Sequence, residues 1–162
     1  MSSTCSARIR TVRLLAALGC SIGLSACAAG GGFDPTQITF APALAIALDE
    51  MTLTPEGLYL QDVVEGMGEE ARRGRRVTIH YLGRFPDGRV FDSSVGGEGP
   101  VDFALGEGEV IDGWDLGIRG MKVGGRRVLV IPPRLAYGSR GIRGVVPGNA
   151  TLVFEVQLVA VN

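Results

Sequence analysis

The chain has 162 residues, 46% of them apolar, 20% charged and 6% aromatic, which suits one ordinary domain with a short appendage and excludes a two-domain enzyme. The first 26 residues carry Arg8, Arg10 and Arg13 and no acid, so the remainder holds 13 basic against 17 acidic residues, a balance that argues against a nucleic-acid binder. The 25 glycines, dispersed among Val, Ile and Leu, indicate turns between short strands and disfavour bundles and coiled coils.

Residues 1 to 13 supply a positive leader, and Leu14 to Leu24 form an uncharged, mostly apolar run within the roughly 7–15 residues of a signal-peptide core. Leu24-Ser25-Ala26-Cys27 resembles the bacterial lipobox, in which the Cys is lipidated and becomes the mature N-terminus. Residues 1–26 are therefore expected to be a lipoprotein signal peptide, with Cys27 the lipidation site. Two alternatives stay open at this point. One is an uncleaved transmembrane anchor over 14–32, a run diluted by Gly, Ser and Cys and at the roughly 20-residue minimum. The other is ordinary signal-peptidase cleavage that leaves Cys27 unmodified or removes it. Cys5 and Cys20 lie in the leader, so the mature chain is expected to form no internal disulfide. The acyl chains on Cys27 exceed the two membrane signals that stable anchoring needs. The expected location is the periplasm, tied to a membrane through that lipid alone. Ala28 after the Cys, rather than Asp, points to the outer membrane under the enterobacterial sorting rule.

Residues 27–56 include Pro35, Pro42 and Pro55 and hold no sustained period, so they read as a tether. Within them Ala41 to Leu48 is apolar enough to dock, as a short helix or an extra edge strand. The domain is expected over 57–162. Leu58 to Val64 predicts a first strand. Arg76 to Arg84 predicts a half-buried second one, with Val77, Ile79 and Tyr81 on one face and Thr78, His80 and Leu82 on the other. Phe85-Pro86-Asp87-Gly88 predicts a tight hairpin returning through Val90-Phe91, because Pro presets φ and Gly accepts φ > 0. Phe103 to Leu105 is a further short strand. In Val110 to Gly120, Ile111, Trp114 and Ile118 fall at i, i+3, i+7 and predict one short amphipathic helix. Arg126 to Ile131 alternates until Pro132-Pro133 stops it, and Leu152 to Val161 closes the domain as a long strand. Many antiparallel strands and one helix make an α+β fold.

Four blocks carry the chemistry: HYLGRFPDGRVFDSS at 80–94, FALGEGEVIDGWDLGIRGMKVG at 103–124, IPPRLAYG at 131–138 and VPGNATLVFEVQL at 146–158. In this order, across 74–162, they resemble the FK506-binding (FKBP) type of peptidyl-prolyl isomerase. The resemblance implies a five-stranded antiparallel half-barrel around the short helix, with an apolar active-site cavity between them. It implies Trp114 as the cavity floor and Tyr81, Phe91, Val110, Ile111, Tyr137 and Phe154 as its walls, with Phe103 and Val101 beside them and Val145 and Val146 as paired wall aliphatics. Tyr81, Asp92 and Tyr137 are the expected catalytic group. Asp92 is the one wall carboxylate, facing the substrate carbonyl carbon or holding the Tyr137 hydroxyl; an Asx turn is the plainer reading of Asp92-Ser93-Ser94. The Ile111 N–H and the Tyr137 hydroxyl are implied donors to the substrate's flanking carbonyls.

The sequence departs from the family at the rim. Position 101 is Val where many members carry Phe, and 142 is Ile where others carry His. The loop after FDSS lacks the Arg that pairs with the wall Asp in some members. Segment 138–148 is too short to hold an inserted chaperone domain. His80, the lone histidine, falls opposite Tyr81 and reads as a satisfied second-layer residue rather than a base. Gly106-Glu107-Gly108 lacks the third glycine and the βαβ setting of a dinucleotide site. No metal and no cofactor are expected. The expected partners are proline-containing polypeptides and a macrolide ligand of the FK506 or rapamycin kind. Two other functions compete: a module that binds proline-bearing or apolar peptides without turnover, and a structural lipoprotein using residues 28–56 as a contact segment.

Overall fold

The structure is a computed structural model and describes residues 35–97 and 99–162; the readings of 1–26 and of Cys27 lie outside them. The described strands are β1 Thr52–Leu53, β2 Tyr59–Val64, β3 Arg76–Arg84, β4 Val90–Ser93, β5 Val101–Ala104, β6 Arg126–Ile131 and β7 Leu152–Val161, with one α-helix, α1 Asp112–Gly117, between β5 and β6. They form one sheet in the order β1-β2-β6-β7-β3-β4, with β5 also on β3, and every pairing is antiparallel. Residues 82–84 of β3 pair with β4 and residues 76–79 with β5. These two short strands thus serve as one interrupted edge, which with β3, β7, β6 and β2 gives the five expected positions. The two-residue β1 is an addition.

The inner face of the sheet and α1 enclose the main core. Val77, Ile79, Ile118, Leu129, Ile131, Leu152, Val156 and Leu158 are fully buried there. Helix α1 sits close against β6 because Gly113 carries no side chain: a Cβ there would meet Ile131 at 2.5 Å. Its C-terminal end is held by Arg127. That guanidinium donates to the Gly117 carbonyl at 2.8 Å and, through Nε and Nη2, to both Asp62 oxygens at 2.7 and 2.8 Å. A charge buried to this degree is tolerated because its donors are matched to acceptors. At the other end, Asp115 accepts the Gly106 and Gly108 N–H groups at 2.8 and 3.1 Å and fixes the turn that leads out of β5.

The outer face corrects the tether reading for part of its length. Phe40, Leu44, Ile46 and Leu48 pack with the buried Met51, Tyr59, Val130 and Val153 into a second cluster. Pro42–Leu44 and Leu48–Glu50 are 3-10 helices of three residues each, so the apolar stretch docks through short helical turns of the 3-10 kind and not as an edge strand. The Ala41 N–H donates to the Pro86 carbonyl at 2.8 Å, tying this strap to the tip of the β3–β4 hairpin. The strap explains why β7 begins with three consecutive buried residues, Leu152, Val153 and Phe154: both faces of that end of the sheet are covered.

Candidate active site

Strand β3 directs Tyr81 inward and His80 outward, as its alternation predicts. Opposite it, α1 brings Trp114 to the same space, with Trp114 only 7% exposed. Tyr81 meets the Trp114 ring edge-on at 4.8 Å between centroids, and Phe154 of β7 meets it at 5.2 Å, also edge-on. Such edge-to-face contacts fix ring orientations beyond what area burial achieves. The result is a cavity of about 580 Å³, lined by Tyr81, Asp92, Val101, Glu109, Val110, Ile111, Asp112, Trp114, Ala136, Tyr137 and Phe154.

Eight of the expected site residues thus share one cavity: Tyr81, Asp92, Val101, Val110, Ile111, Trp114, Tyr137 and Phe154. Four others stand elsewhere. Phe103 is buried behind the floor, 6.0 Å from the Trp114 ring. Phe91 lies behind the wall, between Phe85 and Phe154 at 5.0 and 5.5 Å, in space that Gly83 leaves open, since a Cβ there would meet Phe91 at 2.7 Å. Val146 belongs to the core and Val145 is 48% exposed on the loop. Neither is among the lining residues, because a tight turn with Ile142 N–H to Val146 C=O at 2.7 Å turns one aliphatic in and the other out. The sequence reading missed Glu109, Asp112 and Ala136. Proximity to Val110, Ile111 and Tyr137 was the available signal, but nothing in those residue types marked them.

Asp92 makes one local and one cross-strand hydrogen bond. Its Oδ1 accepts the Ser93 N–H at 2.8 Å, a local turn contact, and its Oδ2 accepts the Tyr81 hydroxyl at 2.7 Å. The phenol held by Asp92 is therefore Tyr81, which corrects the alternative pairing with Tyr137. Burial, and then the negative charge of Asp92, push the Tyr137 phenol above its ordinary 10.0, so its hydroxyl stays a proton donor across the physiological range. Ile111, at the entry to α1, is extended at φ -61° and ψ 144°, and its carbonyl accepts the Trp114 N–H at 2.9 Å. The cavity therefore joins an aromatic floor and aliphatic sides to the phenols of Tyr81 and Tyr137 and to three carboxylates, Asp92, Glu109 and Asp112, where the sequence reading expected one.

The family model described as FKBP-type peptidyl-prolyl cis-trans isomerase matches residues 68–159. An FK506-binding protein of Neisseria meningitidis serogroup B is 49% identical over 105 residues, which cover 65% of this chain and 96% of the relative. FK506-binding protein 4 of Rhizopus delemar is 50% identical over 113 residues, 70% of this chain, and the match spans only 29% of that longer protein. The crystal structure of AtFKBP13 superposes with a TM-score of 0.63 at 42% identity, covering 68% of this chain and 98% of the other.

Proposed function

The chain belongs to the family of FKBP-type peptidyl-prolyl cis-trans isomerases, and on that premise we propose that it speeds proline-limited protein folding in the bacterial envelope, held to the membrane by a lipid on Cys27. The observation that carries the catalytic part is the aromatic-floored cavity with Asp92 and the Tyr81 hydroxyl hydrogen-bonded at its wall.

No bond is broken in this reaction. Rotation about the X–Pro amide has a barrier of about 18–20 kcal/mol because the C–N bond is partly double. To bring exchange from about 100 s to about a millisecond, the site must remove about 7 kcal/mol by favouring the twisted amide over the planar one. The planar amide is the more dipolar form, so transfer into an apolar cavity raises its energy more than that of the twisted form. Trp114, Val101, Val110 and Phe154 provide that surroundings and a slot for the pyrrolidine ring. Ile111 N–H and the Tyr137 hydroxyl hold the carbonyls on either side of the rotating bond. Asp92, fixed by Tyr81, places its charge where the carbonyl carbon of the twisted amide loses resonance donation. The same slot accepts a macrolide of the FK506 kind.

The test is NMR exchange spectroscopy on a short Leu-Pro peptide, with Asp92→Leu and Trp114→Ala run beside the wild type after each is shown to be folded. Accelerated exchange in the wild type, reduced at least tenfold in both variants, supports the reading. Exchange at the uncatalysed rate by a folded protein that still binds the peptide transfers the function to a non-catalytic binding module.

A further inference from the structure

Strand β3 lacks a strand partner on one edge at residues 80 and 81, between the stretches paired with β5 and β4. The side chain of Ser94 fills that gap and is 4% exposed. Its Oγ accepts the Tyr81 N–H at 2.8 Å and lies 3.3 Å from the Tyr81 carbonyl, while its own N–H donates to that carbonyl at 3.1 Å. The same Oγ stands 3.1 Å from Nδ1 of His80, on the outer face. One buried hydroxyl therefore holds the peptide of the tyrosine whose phenol fixes Asp92 and touches the chain's only histidine.

We propose that Ser94 is a positioning residue for the Tyr81–Asp92 pair and relays the protonation of His80 to it. The proposal rests on the isomerase reading above. When neutral His80 accepts at Nδ1, the Ser94 hydroxyl hydrogen points to the imidazole and Tyr81 is held through its N–H. When the imidazolium forms, Nδ1–H donates to Oγ, and the hydroxyl hydrogen turns to the Tyr81 carbonyl. The Tyr81 peptide then gains a second bond from the same side chain. Histidine is the side chain that changes charge between about pH 5 and 8. The charged groups that line the same surface pocket as His80 are Arg126 of β6 and Glu155 of β7, which are paired with each other at 3.4 Å; on β5, Asp102 stands opposite Thr78, two residues along β3, and is bound to it. The cross-strand neighbour on β7 is the uncharged Gln157.

The experiment follows kcat/KM for the Leu-Pro peptide by NMR exchange from pH 5 to 8, together with the Tyr81 amide resonance over the same range, using the full chain. The expected result is a kcat/KM about two- to threefold higher on the acid side, with the Tyr81 amide shifting at the pH where the His80 ring titrates. Both dependences are lost in His80→Gln and in Ser94→Ala. A pH-flat rate, a Tyr81 amide that ignores the His80 titration, or an inflection that survives in His80→Gln overturns the relay. Absence of catalysed exchange at every pH overturns the isomerase reading instead. In that event the Tyr81 resonance alone decides the relay, tracking the His80 titration if it is correct and ignoring it if it is wrong.

Discussion

A single hydrogen bond organises the polar side of the cavity. The Tyr81 hydroxyl donates to a charged acceptor at 2.7 Å, a class of bond typically contributing about 1.5–3 kcal/mol, on a residue exposed enough that the lower end applies. Tyr81→Phe keeps the edge-on contact with Trp114 and removes only that donor. The expected outcome is a folded protein whose kcat/KM falls about three- to tenfold, with the loss in kcat rather than KM, measured on the same Leu-Pro peptide. Tyr137 makes a second, independent prediction. Its folded-state pKa is raised by burial first and by Asp92 second, whereas the unfolded chain keeps the ordinary phenol value. The native state therefore favours the protonated phenol, and the associated stability is complete below pH 10 and lost as pH rises through the folded value. Spectroscopic titration of the wild type against Tyr137→Phe is expected to show one tyrosine ionising above the free amino acid. Denaturant midpoints taken above pH 10 are expected to fall less in the variant.

The strap shows how an element can hold the molecule together without touching its site. Leu44 and Ile46 lie on the outer face with Tyr59, Val130 and Val153, on the side of the sheet away from Trp114. Replacing both with Ser is expected to cost about 2 kcal/mol, from the apolar area returned to water by two half-buried side chains. The midpoint in urea should drop while kcat/KM stays near wild type; a proportionate fall in activity would mean that the strap supports the site through Ala41 and the hairpin tip. Sequence reading found β3, β6 and β7 to the residue because their patterns have a defined period and clear stops at Gly74, Pro86 and Pro132. Helix α1 was found by the spacing of Ile111, Trp114 and Ile118, but it is shorter than the apolar spacing suggested. The strap escaped because 3-10 turns joined by extended residues leave Phe40, Leu44, Ile46 and Leu48 with no period to detect. Its trace was indirect: Val128, Val130 and Val153, at outward positions, are apolar where a solvated sheet face would be polar. The cavity was legible as a set because its residues lie in contiguous blocks. The choice between Tyr81 and Tyr137 as the partner of Asp92 was not, since it depends on how β3 and β4 register across the hairpin.

At the scale of the whole molecule, the family match begins at residue 68, and residues 1–26 ahead of it carry the export signal of the proposed function. In the function we propose, that leader decides where the cavity works, and Cys27 is the residue on which the readings divide. A diacylated cysteine binds a bilayer through more than one chain, which is enough for stable anchoring. Cys27→Ser removes the acceptor thiol and leaves the apolar leader intact. If the lipid is the anchor, the wild type fractionates with membranes and takes up labelled fatty acid, whereas the variant incorporates no label and is retained only as far as its uncleaved leader holds it. Deleting residues 1–26 and supplying an ordinary cleavable signal then releases an active, soluble domain. Membrane retention of wild type and variant alike, with neither taking up label, would instead assign anchorage to the apolar segment 14–32 as a span. Release of the wild type itself into the soluble periplasm, with Cys27 unlabelled, would assign the leader to ordinary signal peptidase and leave the isomerase free to diffuse. In each case the peptide assay is expected to read the same catalysis, because the cavity is built entirely from residues 81 to 154 and the anchor bears only on which unfolded chains reach it.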